Sequence, residues 1–204
     1  RMDITWRRRV REKVAEVKAG TILDVATGTG DLAIELSKIA GAHITGVDIS
    51  QGMLSVGEQK VKALGLSERI TMQLADSEHL PFADGSFDAV TVSFGVRNFE
   101  NLQKGLSELR RVLHPGGRLV ILETSVPTRF PYKQGYKFYT KFVVPLMGKL
   151  LAKNQNAYAY LSESAAKFPF GKQLANILES EIGFSRVKFY PQFLGVATIY
   201  VADK

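Results

Sequence analysis

The sequence predicts an α/β protein built on a doubly wound, mostly parallel sheet of seven strands with an antiparallel last strand. Three observations predict it. β-branched apolar runs alternate with segments whose apolar residues recur every three to four positions, as strands and helices do in such a sheet. Near the N-terminus, Asp24-Val25-Ala26-Thr27-Gly28-Thr29-Gly30-Asp31 joins one such run to one such segment through a glycine turn. Two later strands end on acids, Asp48 and Asp76, at the edge where open α/β sheets bind ligands.

The elements follow in order. Residues 4–18 place Trp6, Val10, Val14 and Val17 on one helical stripe, with Arg7, Arg8, Arg9, Arg11 and Lys13 around the rest. Thr21-Ile22-Leu23 opens the first strand, and Leu32, Ala33, Leu36 and Ile39 mark the helix after the turn. His43 to Asp48 is the second strand, and Ser50 is placed to cap a helix over 51–64 with Met53, Leu54, Val61 and Leu64 on its apolar side. Ile70 to Asp76 alternates as a third strand, and Asp84-Gly85 turns the chain into a fourth at 88–95, β-branched and nearly uncharged like a strand buried on both faces. A helix over 102–113 stops at His114-Pro115-Gly116-Gly117, where His114 reads as structural, and a fifth strand covers 118–123. After Pro127 the texture becomes aromatic and basic. Residues 128–170 read as a helical insertion, with Tyr139, Phe142, Val143, Leu146 and Leu150 on one stripe, Lys133, Lys137 and Lys141 on another, and a kink at Pro145. A helix over 172–182 and an antiparallel pair at 187–193 and 197–202 close a single domain spanning 1–204.

The turn has its own chemistry. Gly28 and Gly30 carry no Cβ, so the backbone can take positive φ and a ligand can approach the free N–H groups that open the next helix. Asp48, 18 residues beyond Gly30, stands where an acceptor for ribose hydroxyls belongs in a βαβ nucleotide site. By itself the pattern of Gly28, Gly30 and Ala33 also suits a dinucleotide.

Composition narrows the partners. The chain has no Cys, which removes disulfides and thiolate chemistry, and its three His, at 43, 79 and 114, lack metal-ligand spacing, so no metal is expected. No apolar run approaches the length of a membrane span and no signal peptide is visible, which favours the cytoplasm. The charge of +7 is uneven: +4 over 1–20, −4 over 21–125 and +7 over 126–204. An acidic core suits a cofactor bearing positive charge, while basic flanks can attract nucleic acid or an anionic membrane surface.

Taken together, Asp24 to Asp31, Gly46 to Ser50, Asp76-Ser77, Leu80-Pro81-Phe82, Phe87-Asp88 and Leu113 to Gly117 resemble the ordered motifs of the class I S-adenosylmethionine-dependent methyltransferases, a Rossmann-like fold. Ser93-Phe94-Gly95-Val96-Arg97-Asn98, and Tyr158 to Ser164 followed by Phe168-Pro169, narrow the resemblance to the demethylmenaquinone and ubiquinone C-methyltransferase family. The resemblance implies S-adenosylmethionine as cofactor and a cofactor-binding set of Asp24, Gly28, Thr29, Gly30, Asp48, Ile49, Met53, Asp76, Ser77 and Ser93. Asp24 would orient the turn or meet the cofactor's amino end. Family members carry several tens of residues ahead of the Trp6 helix, so the resemblance also implies a segment preceding Arg1.

The implied reaction moves the sulfonium methyl to a ring carbon of a polyprenylated demethylquinol, demethylmenaquinol by overall resemblance and a ubiquinone precursor as the alternative. A ring carbon becomes nucleophilic when a neighbouring hydroxyl loses its proton, so the enzyme must favour a phenolate and hold it in line with the methyl. Arg97, charged at any physiological pH, would stabilise that phenolate, and Asn98 would hold an oxygen of the same ring. His79 is a candidate base by its pKa alone. The implied partners are the quinol and a transient membrane surface on the inner face of the plasma membrane, met through the aromatic and basic 128–170 segment; a homodimer is compatible with the sequence. Methylation of another small molecule is the rival within the class. A nucleic-acid-binding module is the rival outside it, but it leaves the acidic core site without a role, so no nucleic acid is expected.

Overall fold

The computed structural model describes residues 2–127, 130–132, 134 and 168–204. Their elements are α1 (Met2–Ala15), β1 (Thr21–Val25), α2 (Asp31–Leu36), β2 (His43–Asp48), α3 (Gln51–Ala63), β3 (Ile70–Leu74), β4 (Phe87–Ser93), α4 (Leu102–Val112) and β5 (Leu113–Thr124), followed by α5 (Lys172–Asn176), β6 (Ser185–Gln192) and β7 (Ala197–Asp203). One seven-stranded sheet runs in the order β3-β2-β1-β4-β5-β7-β6. β1 to β5 pair in parallel, and β7 lies antiparallel between β5 and β6. The order reverses between β1 and β4, which opens a crevice beyond their carboxyl ends, and that is where such sheets bind ligands.

Alternation along the strands divides the core between two faces. Leu23, Val90, Leu119 and Ile121 pack with Leu106, Leu109, Leu174 and Leu178 from α4 and the α5 region. Ile22, Ala89, Val120 and Leu122 pack with Val10, Val14, Leu32, Leu36 and Val61 from α1, α2 and α3. Trp6 lies outside this buried set, its ring 6.1 Å from that of Phe94 at the end of β4.

Several elements differ from the sequence pattern, and β3 is one, ending at Leu74 so that Asp76 lies two residues beyond it. The first helix stops at Ala15, and Lys18 turns the chain at φ +53°. β5 begins at Leu113, which pairs with Phe87, and 114–117 bulge before Arg118 resumes the ladder opposite Ala89. Gly117 fits there because a Cβ would come within 3.0 Å of the Asp88 carbonyl oxygen. In α3 the buried positions are Leu54, Gly57 and Val61, whereas Met53 is half exposed. Gly57 sets that rotation, since a Cβ there would meet the Thr29 carbonyl carbon at 3.2 Å, so the helix seats its glycine against the turn. The helix over 172–182 widens into a π-helical turn at Ile177–Glu181. Ser50 caps α3 as expected, its hydroxyl accepting from the Met53 N–H. The insertion's stripes, Pro145 and the Tyr158 to Ser164 motif lie outside the described residues.

Candidate functional site

The glycine turn is held from three sides. Asp24, 1% exposed in β1, accepts hydrogen bonds of 2.7 Å from the hydroxyls of Thr27 and of Thr91 on β4. Asp48, at the end of β2, accepts from the Gly28 N–H at 2.8 Å and the Ser50 N–H at 2.9 Å. Lys60 of α3 reaches back to the Thr29 hydroxyl at 2.8 Å and to Asp31 at 2.9 Å. Gly30 starts α2 at φ +78°, so its conformation favours glycine, and a Cβ on it would displace only the Met72 methyl, 2.4 Å away.

Across the crevice, Ala26 and Phe94 both sit in the left-handed region, at φ +54° and +57°, a costly conformation for residues with a Cβ. Between them Gly95 comes so close that a Cβ on it would lie 2.5 Å from the Ala26 Cβ. The ends of β1 and β4 are thereby pressed together, and a cavity opens on each side of the turn. A cavity of about 440 Å³ is lined by Asp48, Ile49, Ala75, Asp76, Ser77 and Asn98, among others. A smaller one of about 170 Å³ is lined by Asp24, Thr27, Gly28, Thr29, Ser93 and Phe94, with Arg7 and Asp31 at its border. Ala26 borders both.

These two spaces gather most of the residues singled out in the sequence. Ile49, 77% exposed at the lip of the larger cavity, offers an apolar cover without a packing role of its own. Gly30 and Met53 line neither space; Gly30 shapes the turn from behind. His79 is exposed, beside Asp76 and Lys104, and with them lines the larger cavity. The N–H of Glu78, with help from His79, holds the Asp76 carboxyl below the usual carboxylate range.

Arg97 is the largest departure. Its guanidinium is almost buried, and Nη1 donates to Glu123 Oε1 at 2.6 Å, with Glu123 itself fully buried at the end of β5. The charge expected for a phenolate is thus shared with an acid that sequence patterns did not single out. Its Nε is buried with no partner among the described residues. His114, by contrast, is structural as expected, with Nε2 2.9 Å from Asp88 beneath the bulge.

Burial pushes Asp24 up to about 6, against the two threonine hydroxyls that favour its charged form. Between its ordinary value of 3.8 and about 6, the folded chain keeps a proton that the unfolded chain has released. Asp24 therefore makes stability fall as pH rises through that window, by about 3 kcal/mol in total, and the loss is complete above pH 6. Asp24→Asn is expected to remove this fall, so that the variant's Tm rises relative to that of wild type from pH 4 to pH 7. Parallel melting curves across that range would show that Asp24 does not titrate there.

The donor set fits a nucleoside with a cationic amino-acid end. Asp48 spends two acceptor positions on backbone N–H groups and, with about four in a carboxylate, keeps two for vicinal hydroxyls. Asp48, Asp76, Glu78 and Glu100 outnumber Lys104 around the larger cavity, and Asp24 and Asp31 outnumber Arg7 around the smaller. Such a field favours a sulfonium and an ammonium over a polyphosphate. The sheet order and this divided, acidic crevice define a class I methyltransferase with S-adenosylmethionine as its cofactor. The chain belongs to the ubiE/COQ5 methyltransferase family, whose model matches residues 1–204. It is 48% identical over its whole length to a protein of Bacteroides fragilis named demethylmenaquinone methyltransferase, covering 83% of that relative. It is 43% identical, again over its whole length, to a Geotalea daltonii protein named ubiquinone/menaquinone biosynthesis C-methyltransferase UbiE, covering 86% of it. A solved S-adenosylmethionine-dependent methyltransferase from Aquifex aeolicus superposes with a TM-score of 0.66 at 20% identity, over 95% of this chain and 88% of that one, which shows the shared fold.

Proposed function

We propose that the protein methylates a ring carbon of a polyprenylated demethylquinol, converting demethylmenaquinol to menaquinol. The observation that carries this reading is the 48% identity, along the full chain, to a relative named for that reaction. When bound, the cofactor supplies an electrophilic methyl on sulfur. The ring carbon would take that methyl as the carbon–sulfur bond breaks, the sulfur would leave as a neutral thioether, and the ring hydrogen would pass to water as a proton. Asp48, Asp76 and Ser77 would orient the nucleoside beside the ends of β1 and β4. Arg97, on the turn after β4, holds one ring oxygen, and Asn98, which also borders the larger cofactor cavity, holds another. With Glu123 sharing its charge, Arg97 serves through directed N–H groups more than as a free cation.

A polyprenyl tail crosses water poorly, so the acceptor is met at a membrane surface. No helix among the described residues is long and apolar enough to cross a membrane. The +7 charge of residues 126–204 suits anionic headgroups, each lysine near the surface contributing roughly 1 kcal/mol. Incubation with labelled S-adenosylmethionine and either reduced demethylmenaquinone or a reduced ubiquinone precursor tests the reaction; label is expected in the naphthoquinol. Tight cofactor binding with no label in either acceptor would reject it. Sedimentation with liposomes tests the surface contact, which is expected to strengthen with anionic lipid and weaken with salt.

A further inference from the structure

Beyond the cofactor crevice, on the same carboxyl edge of the sheet, a separate cavity of about 490 Å³ opens two residues past Glu123. Its floor is Ser125 and Thr198, and its walls are Tyr132, Phe170, Phe189 and Leu194. That volume falls in the range of small-molecule sites, roughly 300–1,000 Å³. The floor hydroxyls make no demand on an occupant. Ser125 Oγ donates to the Gly195 carbonyl at 2.8 Å and lies 2.9 Å from Thr198 Oγ1, and the Ser125 N–H donates to the Val196 carbonyl at 3.0 Å. Behind them Tyr200, almost fully buried, accepts from the Gly171 N–H at 2.6 Å. Polar groups satisfied among themselves, beneath aromatic and aliphatic walls, select a hydrocarbon rather than a hydrogen-bonding ligand.

The mouth carries a second sign. Leu194, which lines the cavity, and its chain neighbour Phe193 are both more than half exposed, and both are held at positive φ, +61° and +36°. Two successive non-glycine residues in that region, presenting apolar side chains to solvent, are costly unless something uses them. Phe130, 80% exposed, adds another unburied ring nearby in sequence to the Tyr132 wall.

We infer that this cavity holds the isoprenoid tail of the acceptor, with the ring directed along β5 toward Arg97; the inference rests on the function proposed above. Leu194 and Phe189 are then specificity residues that act on the tail and not on the ring. Leu194→Asp suits the test because Asp tolerates the left-handed backbone while placing a charge in the wall. Phe189→Ser provides a second variant on β6.

The measurement is kcat/KM for demethylmenaquinol with a multi-isoprene tail, dispersed in non-ionic detergent, and for the same ring without a tail. In either variant the tailed-to-tailless ratio is expected to fall roughly tenfold, since one methylene in an apolar pocket already shifts kcat/KM by about that factor. The loss should appear in KM for the tailed acceptor. An unchanged ratio in both folded variants overturns the inference, as does an equal loss for both acceptors, which would place the ring or a chain segment in the cavity. Wild-type protein that methylates neither acceptor removes the underlying function; methylation of both with an unmoved ratio removes the tail site alone.

Discussion

Asp48→Ala is expected to weaken S-adenosylmethionine binding by roughly 100-fold or more, measured by titration calorimetry. Two hydroxyl bonds to a carboxylate contribute about 1.5–3 kcal/mol each, and every 1.4 kcal/mol is a factor of ten. The same carboxylate fixes the turn, because it accepts from the Gly28 and Ser50 N–H groups at 2.8 and 2.9 Å. Losing it frees the loop that must face the cofactor, so affinity suffers twice. Asp48→Asn separates the two effects: the amide oxygen can still accept a backbone bond, but the second oxygen becomes an NH2 that accepts nothing, so acceptor capacity for vicinal hydroxyls is at least halved. It should melt closer to wild type than Asp48→Ala while binding almost as poorly. A Kd within threefold of wild type in both variants would place the ribose elsewhere.

The strength of this prediction reflects how much of the crevice was written locally in the chain. Parallel strands bring their carboxyl ends to one edge, so Asp24, Asp48, Asp76-Ser77 and Ser93 converge once the strand and helix alternation is recognised. Gly28 and Gly30 declare the turn because glycine takes those positive-φ angles at the least cost. Met53 misled because Leu-and-Met periodicity ignores glycine: the buried stripe of α3 is centred on Gly57, which contributes close approach rather than apolar bulk. The bulge at 114–117 was hidden for a similar reason, since Pro115-Gly116-Gly117 stops a helix but also lets a strand resume after pairing once with Phe87. Glu123 was invisible for a different one. Its tie to Arg97 depends on β4 and β5 being neighbours with Ser93 opposite Leu122, a relation between residues 26 apart that no periodicity encodes.

Glu123→Ala is therefore expected to destabilise the fold by about 3–5 kcal/mol, because it leaves the nearly buried Arg97 guanidinium without its counter-charge. In a chain of this size each kcal/mol lowers Tm by roughly 2–4 °C, so a drop of about 10 °C is expected by calorimetry. Glu123 accepts from the Arg97 N–H and Nη1 and from the Thr124 N–H and hydroxyl, so Glu123→Gln, with one carbonyl oxygen, should fall between. Arg97→Met combined with Glu123→Leu removes both charges and replaces them with apolar bulk, which often costs little. That double variant should recover part of the lost stability, the Arg97 and Thr124 N–H groups still lacking their acceptor, and its cofactor affinity should stay near wild type because neither residue lines the two cofactor cavities. Methyl transfer should nevertheless remain at least roughly 100-fold down, since the ring has lost a charge-assisted donor of about 1.5–3 kcal/mol and its alignment. Stability and turnover then part company, which a purely structural ion pair does not allow. A double variant that folds, binds cofactor and turns over normally would return the Arg97–Glu123 pair to the scaffold and leave the acceptor to be held by other residues.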